Sequence, residues 1–359
     1  MRIVRYYPRA LTGDGGMTTA VRHWSRGFVR AGTEAAIVFD QGEPTATDDG
    51  VQWIRARHRG QGAFLYPVGL DEVLRKGDVL VLHSAWAYHN IHAAAVARRL
   101  GVPYVLEPRG AYDPRIVGRK PLLKRAWWAM WERELVERAR AIHVFFDDER
   151  SHLEALHYHG PVIAAPNGVE PPAAIHWDGG SGGYVLWLGR FDPEHKGIDM
   201  LVEAMSLLEP EQRPSLRLCG PDSRARGKES IRTLVRHLGL ERWVSVEEPV
   251  HGRAKFELMA RAIGFVYPSR WEGFGNSVAE AIAVGVPTVV TPYPFGRHLA
   301  HRDAAILAQP TPQGLAEGLR ALRSPDAAAI GTRGSLVARE DLAWDRVARS
   351  WLRQVEPLV

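Results

Sequence analysis

The chain has 359 residues, 45% hydrophobic and 24% charged, which suits about two domains that each bury a core of their own. One cysteine excludes an internal disulfide framework, and no apolar run approaches the ~18 residues of a membrane span. The net charge of +5 points to anionic partners without choosing among them; 23 basic against 19 acidic residues place most of the surplus in residues 1–170.

Met1-Arg2-Ile3-Val4-Arg5 reads as the entrance to a strand and has no secretory apolar region, which implies a cytoplasmic protein. Short apolar runs at 4–7, 36–39, 51–54, 79–82, 104–106 and 142–145 predict strands. Helical patterns fall at 17–31, 91–100, 122–139 and 149–157. The alternation predicts βα units and a parallel sheet. It restarts with strands at 184–188, 215–219, 244–246, 263–267 and 288–290, separated by helices at 198–208, 229–238, 254–261 and 277–284. Between the halves lie Pro166-Asn167-Gly168-Val169-Glu170-Pro171-Pro172 and Asp178-Gly179-Gly180-Ser181-Gly182-Gly183, a density of breakers that means linker. The expected organisation is an N-terminal domain over 1–166 and a linker over 167–183. A second domain follows over 184–340, then a C-terminal helix over 341–359 that crosses back to the first domain. Two doubly wound domains would face a cleft, and open α/β sheets bind ligands outside the carboxyl ends of their strands.

The motifs sit at such ends. Gly13-Asp14-Gly15-Gly16-Met17 follows the first strand and would let a phosphate approach backbone amides, although it lacks a dinucleotide fingerprint and the P-loop ending. His83 ends a strand in Val81-Leu82-His83-Ser84-Ala85-Trp86, facing a site whose floor Trp86 would form under a sugar ring; a hydrogen-bonded core histidine is the plainer reading. Glu107-Pro108-Arg109-Gly110 ends the next strand, where Arg109 either reaches the acceptor or pairs with Glu107 or Asp113. Lys120-Pro121-Leu122-Leu123-Lys124-Arg125-Ala126-Trp127-Trp128-Ala129-Met130-Trp131 is basic and tryptophan-rich. It fits a helix resting on an anionic membrane, or an amphipathic helix packed on the sheet. Cys219, in an apolar run, reads as a buried strand thiol.

In the second half, Gly189-Arg190 and Lys196-Gly197 bracket a loop between a strand and a helix. Arg190 suits a bidentate grip on phosphate oxygens, and Lys196 a mobile point charge on the same diphosphate; two solvated cations are the alternative. Trp271-Glu272-Gly273-Phe274-Gly275-Asn276-Ser277-Val278-Ala279-Glu280 joins a strand, a glycine loop and a helix start, which offers free N–H groups and a positive dipole end. Glu272 in the loop and Glu280 on the helix flank this anion cradle as acceptors for sugar hydroxyls.

In these motifs the chain resembles the family-4 glycosyltransferases, retaining enzymes of GT-B fold that use nucleotide-diphosphate sugars. The match runs over nearly the whole length: Gly15-Gly16, His83 to Trp86, Pro108-Arg109-Gly110, Pro166 to Val169, Gly189-Arg190 with Lys196-Gly197, and Glu272 to Gly275 with Glu280-Ala281. The resemblance implies an α/β chain of two Rossmann-like domains, 1–166 taking the acceptor and 184–340 the nucleotide-sugar. It implies that Arg190 and Lys196 bind the donor diphosphate, with Gly15, Gly16, Phe274, Gly275, Asn276 and Ser277 beside it. Glu272 would hold the transferred sugar, Glu280 the ribose, and His83 would lie next to the reacting sugar. Backbone near Gly220 and Val250 would read the base. Relatives often carry Ser or Thr where this chain has Glu107.

Together these features imply retaining transfer of a hexose from a UDP- or GDP-sugar to a hydroxyl, in a glycan or lipid-linked glycan of envelope or exopolysaccharide synthesis. Two side-chain cations and a helix dipole imply that no metal or other cofactor is needed. A small-molecule acceptor remains an alternative, as does a nucleotide-sugar epimerase or hydrolase. A non-enzymatic sugar-binding protein would not need the Arg190 and Lys196 pair, and no basic stripe with interleaved aromatics supports nucleic acid. Peripheral contact with the inner membrane face follows only if the Lys120 to Trp131 helix touches lipid.

Overall fold

Apolar residues fill both faces of most short runs, as strands covered by helices on each side require. The computed structural model describes residues 1–8, 16–42, 49–223 and 226–359. Two units emerge: Met1–Gly168 together with Trp344–Val359, and Val169–Ala343.

Unit 1 is built on a seven-stranded parallel sheet. Its strands run in the order Gln52–Arg55, Glu34–Phe39, Arg2–Tyr7, Asp78–His83, Tyr104–Glu107, Ala141–Val144, Val162–Ala164. On one face, Val4, Tyr6, Leu80, Leu82, Leu106 and Ile142 pack against Ala93, Ala94 and Ala97 of the helix Tyr88–Arg99. On the other, Ile3, Val79, Val81 and Val105 meet Trp24 and Phe28 of the helix Gly16–Arg30, together with Trp344, Val347, Trp351 and Leu352 of the helix Trp344–Val355. Unit 2 carries a six-stranded parallel sheet in the order Val244–Glu247, Ser215–Cys219, Tyr184–Leu188, Gly264–Tyr267, Thr288–Val290, Ile306–Leu307. Cys219 is buried in it as a free thiol, and burial pushes its pKa up to about 12.

Each sheet has a point where the strand order reverses. In unit 1 it lies between Arg2–Tyr7 and Asp78–His83; in unit 2 it lies between Tyr184–Leu188 and Gly264–Tyr267. Strands on either side of such a point send their following loops in opposite directions and leave a crevice at their carboxyl ends. His83 ends a strand at the first point, and Gly189-Arg190 and Pro268 to Glu272 leave strands at the second.

Two sequence expectations differ from the structure. The stretch 167–183 read as linker is tied along unit 2 through Trp177 and Gly182, whose backbone N–H groups donate to the Val284 and Arg261 carbonyls, and through the Trp177 indole, which donates to the Ala262 carbonyl at 2.8 Å. The single helix expected at 122–139 is instead Pro121–Trp127, a π-helical turn Trp128–Glu132 and Arg133–Glu137. Glu132 explains the break: its buried carboxylate accepts from the Trp86 N–H, the Tyr112 hydroxyl and the Trp127 indole at 2.7–3.0 Å, and the wider turn lets it reach all three. A short antiparallel ladder between Arg57–Arg59 and Tyr66–Val68 has no counterpart among the expected strands, because its residues give no alternating apolar signal.

The helix Trp344–Val355 lies within unit 1, where the Gln354 side-chain amide bonds both the N–H and the carbonyl of Ala164 at the edge strand. Trp351 is fully buried against Phe28. Trp351→Ala removes that ring from a closed core and is expected to destabilise unit 1 by about 3–5 kcal/mol. Urea unfolding followed by circular dichroism checks this, and a loss below about 1 kcal/mol contradicts the packing.

Candidate functional site

The two motif loops of unit 2 are 76 residues apart in sequence and are stitched together at the reversal point. Gly197 makes this possible: its φ is +65°, and a β-carbon there would lie 2.0 Å from the Pro268 carbonyl oxygen. The Arg270 N–H donates to the His195 carbonyl at 3.0 Å, and the Arg270 guanidinium holds Asp199 through two bonds of 2.8 Å. The His195 ring lies flat on Trp271, 4.9 Å between centroids.

At the centre of this junction the Lys196 ammonium pairs with Glu272. Lys196 also donates to the Tyr267 hydroxyl at 2.8 Å, and Tyr267 in turn donates to the same Glu272 oxygen at 2.9 Å. Burial alone would raise the Glu272 carboxyl, but Lys196, His195 and the Tyr267 hydroxyl together hold it down at about 2. Burial pushes the His195 imidazole below its usual value, so the ring beside Glu272 stays neutral near pH 7. Arg190 is exposed just past the end of Tyr184–Leu188.

The loop then turns into the helix Asn276–Val284 through Gly275, whose φ is +89° and whose α-carbon faces the buried Tyr293 hydroxyl. Asn276 and Ser277 form the half-buried first turn, which carries no acidic residue. One turn on, Glu280 pairs with Lys255 at 2.5 Å; burial nevertheless raises its carboxyl above the ordinary value. The Phe274 ring stacks on Phe295 at 4.7 Å in the core, so this expected donor contact has only its backbone to offer. Gly220 packs against the Gly189 backbone at the end of Ser215–Cys219, and Val250 is half-buried.

In unit 1, His83 and Glu107 are register partners at the ends of adjacent strands. The His83 Nδ1 lies 3.0 Å from Glu107 Oε2, and both side chains are 1% exposed. Arg109 does not stand as a free cation: its guanidinium is 3.0 Å from Glu107 Oε1 and only 10% exposed. Trp86 does not offer an open ring face, since Lys124 lies over it at 5.3 Å and its indole donates to the Ala111 carbonyl. Three non-glycine residues after these two strands, Ser84, Trp86 and Arg109, take left-handed backbone conformations. Such strain concentrates at functional sites. Gly16 opens the helix Gly16–Arg30, whereas Gly15 lies outside the described residues.

Sequence reading missed Lys255, His195, Arg270 and Tyr267. His195 and Arg270 carried a signal, each adjoining a motif residue; Lys255 had none, because its pairing depends on how two helices pack.

Two family descriptions match the chain: "Glycosyl transferase 4-like domain" over residues 15–168 and "Glycosyl transferases group 1" over residues 182–324. The chain belongs to the family-4 glycosyltransferases. Its two Rossmann-like units have the GT-B fold. Among curated glycosyltransferases, the D-inositol 3-phosphate glycosyltransferase of Jonesia denitrificans is 28% identical, over 77% of this chain and 75% of its own. O-antigen chain mannosyltransferase B of Escherichia coli is 31% identical over 45% of this chain, and mannosylfructose-phosphate synthase of Agrobacterium fabrum 35% over 35%. The chain spans 43% and 30% of the lengths of those last two. Two solved structures share the fold: sucrose-phosphate synthase from Thermosynechococcus elongatus (TM-score 0.78, 18% identity, 100% of this chain and 99% of that one) and HepE of Anabaena, crystallised with UDP and glucose (0.77, 15%, 99% and 100%).

Because the Glu272 carboxyl is depressed from 4.5 to about 2, its ionised form contributes stability above pH 4.5 that fades as pH falls toward 2. The difference in unfolding free energy between wild type and Glu272→Gln should therefore hold steady from pH 7 to about 5.5 and shrink below 4.5. Urea titrations at several pH values measure it, and a pH-independent difference would assign the effect to something other than the ion pair.

Proposed function

We propose that the protein is a retaining hexosyltransferase that moves a hexose-type sugar from a UDP- or GDP-sugar to a hydroxyl of a glycan or lipid-linked glycan in envelope or exopolysaccharide synthesis. The observation that carries this reading is the convergence of Lys196, Glu272 and the helix start at Asn276 on the reversal point of unit 2, with Arg190 exposed beside it. The UDP and glucose held by HepE and the mannosyl and O-antigen names among the relatives support it.

In this reading Arg190, Lys196 and the first turn at Asn276 and Ser277 take the diphosphate, while Glu272 and Glu280 accept bonds from sugar and ribose hydroxyls. Gly16, Gly275 and the Phe274 backbone line the diphosphate, and backbone near Gly220 and Val250 meets the base. The bond from C1 to the phosphate oxygen breaks as the acceptor oxygen bonds C1 on the same face, and the leaving phosphate oxygen takes the acceptor proton. Cations and the helix dipole stabilise the charge that develops on that phosphate. His83 orients the reacting sugar, and no metal is called for.

A cytoplasmic protein touching the inner membrane face completes the proposal. Leu122, Leu123 and Met130 are 78%, 61% and 56% exposed, and Arg119, Lys120 and Arg125 are exposed with them. The sequence has no Asp or Glu from Pro114 to Trp131. Trp127, Trp128 and Trp131 are half-buried, leaving an apolar and basic surface suited to anionic lipid. Among the described residues no helix is long and apolar enough to cross a membrane.

Incubation with a panel of UDP- and GDP-sugars, with EDTA present, should show slow donor hydrolysis for one donor and transfer when a glycan acceptor is added. His83→Ala and Glu272→Ala are each expected to lower turnover at least tenfold in folded protein. Unchanged turnover removes that residue from the site, and a product epimerised at the sugar without acceptor favours the epimerase alternative. Liposomes containing anionic lipid should carry the protein upward in a flotation gradient at low salt; if it stays at the bottom, the membrane contact is wrong.

A further inference from the structure

The cluster around Glu107 extends well beyond His83 and Arg109. His83, Glu107, Arg5 and His143 all project from the sheet face covered by the helix Gly16–Arg30, and all are 2% exposed or less. Arg5 Nη2 lies 3.5 Å from Glu107 Oε2, and its guanidinium sits over the rings of Trp24 and Phe28 at 5.3 and 5.6 Å. Arg109 completes the charge balance from the loop side at 3.0 Å. Burial would raise the Glu107 carboxyl, but Arg109, Arg5 and the two histidines hold it well below the usual carboxylate range.

An ionised carboxylate fixes the proton on whichever imidazole nitrogen faces it. A bare nitrogen 3.0 Å from a carboxylate oxygen would set two lone pairs against each other, so His83 Nδ1 carries the hydrogen. The Arg109 guanidinium is 3.5 Å from the same nitrogen, too far to compete with the shorter contact. His143 shows the opposite arrangement: its Nε2 lies 2.8 Å from the Ala165 carbonyl and must donate there, leaving a bare Nδ1 3.9 Å from Glu107. The imidazole nearest Glu107 is therefore that of His83.

On the far side of the ring, His83 Nε2 is buried and has no hydrogen-bond partner among the described residues. Tyr7, which ends the neighbouring strand, presents its ring edge-to-face at 6.1 Å, and its hydroxyl lies 3.3 Å from Thr18 Oγ1, so it is turned toward the helix. A buried acceptor without a donor is rare in a folded protein and marks a place for an incoming one.

We infer that Glu107 is a positioning residue for the transfer reaction: it fixes His83 as a neutral imidazole protonated on Nδ1, so that Nε2 accepts a hydrogen bond from a substrate hydroxyl. The inference rests on the placement of His83 in the site made above. It excludes His83 as a cation for the diphosphate. Burial agrees, pushing the imidazole down to about 3 even though Glu107 pulls the other way, with Arg5 and Arg109 adding to the depression.

The test reads the tautomer directly. Long-range proton–nitrogen correlation spectra of the full chain labelled with 15N-histidine, with His83 assigned by comparison with His83→Gln, should show the Nδ1–H pattern, unchanged from pH 8 to pH 5. An Nε2–H pattern, or a titration of His83 within that range, overturns the inference even if the protein transfers sugar. Glu107→Gln, which keeps an acceptor for Nδ1–H but loses the charge, should lower kcat at least tenfold with donor KM changed less than about threefold, and should mix the His83 tautomers. Wild-type kcat in this variant also overturns it. Wild-type turnover in His83→Ala, where the unmutated chain shows the Nδ1–H pattern, instead fails the site assignment on which the inference rests.

Discussion

Taking a carboxylate out of water costs several kcal/mol unless cations and donors replace the solvent around it. Glu107 and Glu272 impose that requirement on the two units, and much of the local structure follows from meeting it. Around Glu107 stand Arg5, His83, Arg109 and His143, drawn from three strands and a loop. Around Glu272 stand Lys196, Tyr267 and His195, drawn from a strand and the short helix Pro193–Lys196. Neither carboxylate belongs to one element, so each ties separate chain segments into one arrangement. Glu107 ends the strand next to Asp78–His83 and Glu272 lies in the loop after Gly264–Tyr267, so each is near a reversal of strand order, where open sheets leave room for a ligand.

Such pairing also accounts for the strained backbone. Ser84, Trp86 and Arg109 are held in left-handed conformations that cost of order 1–3 kcal/mol each. The surrounding bonds over-determine them: Glu107 grips the Arg109 side chain, and Glu132 grips the Trp86 N–H. The π-helical turn ending at Glu132 belongs to the same device, since a regular helix would not bring that carboxylate under Trp86, Tyr112 and Trp127 together.

The strands and the unit 2 motifs were legible because their signals are local. Apolar runs of four to six residues specify buried parallel strands, and the Arg190 to Lys196 and Glu272 to Glu280 spacings show in the sequence itself. Glu107 stood out as an acid where relatives often carry a hydroxyl, and its pairing with Arg109 was one of two readings left open. The rest depends on which surfaces meet. Lys255 reaches Glu280 only after two helices pack, and the 167–183 stretch is fixed by bonds its composition does not announce. Phe274 resembled a ligand contact because it lies inside a motif, but its ring completes the core against Phe295.

The same physics bears on how a charged site survives without its ligand. Lys196 and Glu272 are mostly buried, 11% and 16% exposed, and either alone would be an uncompensated charge. Paired with each other and with Tyr267, they are already stripped of most water and held in place. On the proposed reading a donor exchanges partners with little further desolvation of the protein's own charges: phosphate oxygens take over Lys196, and sugar hydroxyls donate to Glu272. Glu280 and Lys255 repeat the pattern on the next helix, where ribose hydroxyls would share the carboxylate. Much of the desolvation cost is then met during folding, which leaves more of the binding energy to act on the reacting bond.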